Sequence, residues 1–156
     1  MRRHRQQLAD DESLAILSRA TSGVLAIIGD GGYPYAVPLS FVYHDNHLYF
    51  HSAREGHKID AVRQDERCSF CVIDRDDVHP AEFTTYFRSV IAFGRIHIVE
   101  DDGERMEALR LLGRHYAPCG HELDLQHEID KGMPRVTLLR MDIEHMTGKQ
   151  AIELTH

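Results

Sequence analysis

The densest collection of chemically useful side chains is the run HSAREGHKID, His51 to Asp60, which carries two histidines, an arginine, a lysine and a glycine. It stands where a strand-like segment gives way to a helix-like one. A loop that opens a helix aims free backbone amides and the positive end of the helix dipole at one point, and that suits an anion. His57 and Lys58 fall in this first turn, Arg54 is near enough in sequence to reach the same anion, and Ser52 adds a hydroxyl. Ammonium and guanidinium groups are both good phosphate partners. The competing reading is a solvated charged loop that only caps an ordinary helix, since helix starts attract polar residues in any protein.

Other constellations point less firmly to chemistry. Cys68 and Cys71, in CSFC, have the spacing of a redox or zinc pair. Their segment alternates as a strand, however, and side chains at i and i+3 on a strand point to opposite faces, so buried structural thiols are expected. His115, Cys119, His121 and His127 are competent zinc donors, but nothing fixes their spacing and no metal is expected. No serine sits in a G-x-S-x-G elbow and no cysteine lies beside an activating pattern, which argues against a hydrolase. GDGGYP, Gly29 to Pro34, runs into a strand, so it reads as a hairpin turn and not as a dinucleotide loop or P-loop.

The elements that position these residues follow from periodicity. Asp10 or Asp11 is expected to cap a helix reaching about Ala20, with Leu14 and Leu17 as its apolar stripe. GVLAII, the GDGG turn, YPYAVPLSFVY, a turn at Asp45 and Asn46, and HLYFH then read as an antiparallel meander. Pro38 donates no backbone hydrogen bond, which places it at an edge, at a bulge or against something other than a strand, such as a ligand. GHKIDAVRQD is a short helix with Ile59, Ala61 and Val62 inward, and RCSFCVI is a strand. TYFRSVIAFGRIHIVE is a long strand in which Gly94 marks a bulge or bend, letting it curve round a small barrel. Gly103 to Tyr116 is helical with Met106, Leu109, Leu112 and Tyr116 on one face. YAPCGHELDLQHEIDKGMP is a long connection, and PRVTLLRMDIEHMTG is the last strand. The fold expected is mainly β, a compact antiparallel barrel with α additions.

At 156 residues the whole chain, 1–156, is read as a single domain. Hydrophobic residues at 42% and charged residues at 28% fit a soluble globular protein, and no apolar run approaches the ~18 residues of a membrane span. MRRHRQQLADDES begins basic but turns acidic where a signal peptide would turn apolar, so no export signal is expected. Three cysteines are too few and odd in number for a disulfide framework, which points to the cytoplasm. A formal charge of −7 argues against nucleic acid as a partner while leaving room for one small phosphate.

With these residues in hand, the stretch from GVLAIIGDGG through YPYAVPLSFVY and HLYFHSAREGHKID to CSFCVI resembles the pyridoxamine 5'-phosphate oxidase-related flavoproteins. Within them it is similar to the 5-nitroimidazole resistance (nitroimidazole reductase-like) branch, as are YFRSVIAFGRIHIVED and the closing MTGKQA. The similarity runs in order from about Met1 to Glu153, and PYAVPLSFVY and FHSAREGHKID are its most specific parts. The resemblance implies an antiparallel split β-barrel with a few flanking helices, binding FMN between the two subunits of a homodimer. It implies that His57 and Lys58 grip the FMN phosphate and that His51 and Ser52 lie at the strand end beside ribityl and phosphate. Val37, Pro38, Leu39 and Ser40 then belong to the strand whose backbone runs along the isoalloxazine ring, and Arg88 and Ser89 match a flavin or phosphate contact on the long strand. His51 is the candidate catalytic group, because an imidazole can give or take a proton near neutral pH; the competing reading is a strand histidine that only hydrogen-bonds a neighbour or the ribityl chain. The chain departs from the pyridoxamine phosphate oxidases proper in having no tryptophan and no C-terminal W...R pattern, so vitamin B6 oxidation is not expected.

The function expected is that of an FMN-dependent oxidoreductase passing electrons from a reduced nicotinamide to a small planar acceptor such as a nitroaromatic, with the chemistry supplied by the flavin. The alternatives are a non-catalytic flavin carrier or sensor, and a heme- or deazaflavin-using relative on the same barrel.

Overall fold

The computed structural model describes residues 4–117 and 122–155. Its strands are β1 (Ser22–Ile28), β2 (Pro34–Ser40), β3 (Val42–His44), β4 (His47–Ala53), β5 (Arg67–His79), β6 (Thr84–Ile98) and β7 (Val136–Gln150). The helices are α1 (Asp10–Arg19), α2 (His57–Gln64), α3 (Asp102–Tyr116) and α4 (Glu122–Gly132). The strands form one antiparallel sheet in the order β2-β1-β5-β6-β7-β4-β3. The sheet curls until β2 approaches β4, yet these two strands do not pair, and the seam between them makes the barrel a split one. Among the described residues no helix is long and apolar enough to cross a membrane.

Strict alternation assigns the two faces of the sheet. Leu25, Ile27, Phe70, Val72, Val90, Ala92, Leu139 and Met141 point inward and are fully or almost fully buried. Phe50 and Phe41 pack edge-on against Phe70 at 5.1 and 4.8 Å between ring centroids, which fills the barrel's centre. On the other face, cross-strand rows run Pro38, Val24, Cys71, Ile91, Thr147 and Ala36, Ala26, Ser69, Phe93, His145. Ile91 and Phe93 remain exposed there, as does Ile73 at 67%.

The turns are set locally. His44 pairs with His47 around Asp45 and Asn46, which both take positive φ, the geometry of a two-residue hairpin. Gly94 sits at a register shift between β6 and β7, as expected, and its Cα packs so closely on the Asp142 carbonyl that a Cβ would overlap it. At the base of the barrel α1 buries Ile16 and Leu17.

Several expectations are corrected. Ala9, and not an aspartate, is the N-cap of α1; Asp10 and Asp11 stand in its first turn, and Glu12 accepts from the Ala9 amide at 3.0 Å. YPYAVPLSFVY is two strands, broken at Phe41, whose ring turns into the core while its amide donates to the Thr21 carbonyl at 3.2 Å. β5 continues past Ile73 to His79, because the polar residues 74–79 pair with the start of β6 in an extended hairpin. On α3, Ala108 and Leu112 are buried against Val42, Tyr49 and Leu138 and Leu109 packs on the same cluster, while Tyr116 is exposed and bonds the Thr21 carbonyl through its hydroxyl. The long connection contains α4, whose Ile129 is buried. Residues 118–121, including Cys119 and His121, lie outside the described residues.

Candidate functional site

The end of β4, the residues 54–56 and the start of α2 form one continuous stretch, and α2 carries it across to β1. Ile59, Ala61 and Val62 anchor α2 by burial in the barrel core. Its first residue follows Gly56, at φ 131°, a conformation that favours glycine. A Cβ on Gly56 would meet nothing within 4 Å, so the approach to the helix start is open. The amides of His57 and Lys58 have no acceptor among the described residues; the Gly56 carbonyl instead accepts from Ile59 and Asp60 at 2.9 and 3.1 Å.

Lys58 is half-buried, and among the described residues no hydrogen bond or ion pair engages its ammonium. Burial holds its pKa below the ordinary lysine value of 10.5. A partly desolvated ammonium carried by the same first turn as two free amides is an arrangement that an anion would complete.

His57 is placed differently. Its Nδ1 lies 3.2 Å from Oδ2 of Asp30, in the turn between β1 and β2, and its ring meets Tyr35 edge-on at 4.6 Å between centroids. Neither Asp30 nor Tyr35 drew attention in the sequence, where the spacing of 27 residues between Asp30 and His57 carries no periodic signal. Arg54 is exposed and without a partner among the described residues.

His51 and Ser52 face opposite sides of β4. His51 is exposed, on the side of Tyr49, while Ser52 is buried on the side of Leu48 and Phe50. The expected ring strand, β2, is an edge strand, which accommodates Pro38. Val37 and Leu39 pack against the core, and Pro38 and Ser40 lie on the exposed face.

Arg88 and Ser89 also alternate. Arg88 donates through Nη2 to Oε1 of Gln150 at 3.1 Å, lies 3.9 Å from Asp74, and has a buried Nε without a partner among the described residues. Ser89 is on the exposed face, paired with Ile73 and Lys149. From the Phe93–Ser69–Ala26 row to Ser89 is four residues, ~13 Å along the strand. Asp30, which meets α2, lies beyond the other end of β1. One chain therefore brings together β2, the end of β4 and the α2 start, and leaves Arg88 and Ser89 at a distance.

The thiols are half-buried, and not fully so as expected. Cys68 packs against the core and donates to the Gly94 carbonyl at 3.5 Å; burial first, then Glu144 and Asp142, push its pKa up to about 12. Burial also raises Cys71, on the other face. His115 Nε2 is 2.8 Å from the Ala20 carbonyl oxygen. Among the described residues no group of three or more His, Cys, Asp or Glu is set to hold a metal.

The family model for pyridoxamine 5'-phosphate oxidase matches residues 9–150. No curated protein matches the chain by sequence. Among solved structures, the chain is similar to a candidate 5-nitroimidazole antibiotic resistance protein from Bacteroides thetaiotaomicron, at 23% identity and a TM-score of 0.76, covering 92% of this chain and 86% of that one. It is similar to a FAD-binding protein from Mesorhizobium loti at 27% identity and a TM-score of 0.68, covering 94% and 97%. It is also similar to a FAD and heme binding protein from Mycobacterium smegmatis at 22% identity and a TM-score of 0.79, covering 94% and 73%. Since the split barrel and the family model span nearly the same stretch, the chain belongs to the pyridoxamine 5'-phosphate oxidase family.

Proposed function

We propose that this chain is a flavin-binding oxidoreductase that takes FMN and passes electrons from a reduced nicotinamide to a small planar acceptor, with a nitroaromatic as the acceptor to try first. The observation that carries this reading is Lys58, half-buried and without a partner at the open start of α2, next to a barrel seam bounded by the edge strand β2. The residues fit a flavin phosphate: the Lys58 ammonium and the amides of His57 and Lys58 would hold it, and Ser52 and His51 close the end of β4. The backbone of β2 from Val37 to Ser40 would flank the ring, with its outer edge unpaired. A bound flavin would supply the electron-transfer chemistry. His51, exposed and without a hydrogen bond among the described residues, is the group proposed to hold or release a proton.

The FAD-binding relatives support a flavin, and the 5-nitroimidazole resistance relative suggests the acceptor. A homodimer is part of the proposal. The exposed apolar row of Ile73, Ile91 and Phe93 suits a second copy, and a partner would bring Arg88 and Ser89 to a site they do not reach within one chain.

The test is the visible spectrum of the purified protein after FMN is added and the sample desalted, followed by reduced nicotinamide without oxygen. A retained flavin spectrum that bleaches is expected. A retained spectrum that does not bleach would replace the oxidoreductase by a carrier or sensor, and no retained flavin would remove the proposal.

A further inference from the structure

His57 faces the turn between β1 and β2, and the contacts that hold it there are mutually consistent. Oδ2 of Asp30 lies 3.2 Å from Nδ1, the Tyr35 ring stands edge-on to the imidazole, and Gly29 leaves room at the other nitrogen. A Cβ on Gly29 would sit 3.1 Å from Nε2, so any larger residue there would crowd the imidazole. The start of α2 has few other restraints: it has no side-chain N-cap, and Gly56 precedes it. Ile59, Ala61 and Val62 fix the body of the helix, but its first turn meets the hairpin through His57.

We infer that Asp30 and His57 are positioning residues, a clamp that sets the α2 start against the β1–β2 hairpin, and that Lys58 with the free amides is the phosphate contact. This rests on the flavin-phosphate reading above and divides the work within it. Because Tyr35 belongs to β2, the clamp fixes the distance between the phosphate end of the site and the strand that flanks the ring. Its effect therefore reaches ring and phosphate together, whereas Lys58 acts on phosphate alone.

The test compares FMN with riboflavin, which lacks the phosphate, on full-length protein. His57→Ala and Asp30→Ala are each expected to weaken both ligands by the same factor, roughly threefold to fivefold, the scale of a partly exposed polar contact with a ring contact. The double variant should be no weaker than either single one, as expected when both remove one interaction. Asp30→Asn should retain wild-type binding, because an amide oxygen at the same place can still face Nδ1. At saturating FMN, the visible circular dichroism of the flavin should change in the two alanine variants and not in Asp30→Asn; a merely structural role would lower Tm and leave that signal alone. Asp30 is exposed in a turn, so its variants keep the test open should His57→Ala fail to fold. Selective loss of FMN in His57→Ala would overturn the clamp and make His57 a phosphate ligand; unchanged affinity and spectrum would overturn it as incidental. If Lys58→Ala leaves the FMN-to-riboflavin ratio unchanged, it is the phosphate reading that fails.

Discussion

His57 and Lys58 are neighbours in the chain with opposite circumstances: His57 pairs with Asp30 at 3.2 Å, while the Lys58 ammonium has no partner among the described residues. One side chain is committed to the hairpin and the other waits at the open helix start.

FMN affinity should depend on pH through Lys58. Burial lowers its pKa, and a phosphate favours the charged form, so binding weakens as pH rises through the lowered value, before the ordinary lysine range is reached. Below about pH 6 binding should weaken again as the phosphate regains its second proton. Fluorescence titrations at a series of pH values check this; riboflavin should not share either limb, and identical FMN and riboflavin profiles would contradict it.

The exposed apolar patch on β5 and β6 should hold a second copy. Phe93→Glu is expected to raise the dimer dissociation constant at least tenfold, by placing a charge in an apolar contact, and to lower FMN retention with it. Sedimentation across a concentration series reads the first effect and desalting the second. A Phe93→Glu protein with unchanged mass and flavin would remove this face as the interface.

Gly94→Ala should cost on the order of 3 kcal/mol of stability, since its Cβ would overlap the Asp142 carbonyl at the bulge between β6 and β7. A urea melt measures it; an unchanged midpoint would show that the bulge relaxes freely.

Cys68 should resist alkylation. With its pKa pushed up to about 12, its thiolate at pH 8 is scarcer than that of a free cysteine on the order of a thousandfold. Mass spectrometry after timed iodoacetamide treatment, native against urea-unfolded, reports the ratio; equal rates would mean that the thiol is not shielded.

Much of this was legible in the residues, because periodicity and turn chemistry are local. Asn46 with Asp45 announced a hairpin and Gly94 a bulge, and each is found. The run from His51 to Asp60 was recognisable as a strand passing into a helix start for the same reason. What escaped was long-range or weakly periodic. α4 was missed because its apolar residues are few, Ile129 buried and Leu125 half-buried while Leu123 is exposed, so its charged residues mask the pattern. The break at Phe41 depends on the Thr21 carbonyl and on a ring buried against Phe70, neither of which is visible from strand propensity. Asp30 could not be tied to His57 until the β1–β2 hairpin and α2 were placed side by side, and the separation of Ser89 from the α2 start required the register of β1, β5 and β6.

The central claim is that Lys58 at the start of α2 receives a flavin phosphate, and paired dissociation constants for FMN and riboflavin on wild type and Lys58→Ala test it most directly. The prediction is a loss of FMN affinity of roughly tenfold to a hundredfold, the scale of a charge-assisted hydrogen bond, with riboflavin unchanged. Equal losses for both ligands, or none for either, would contradict it.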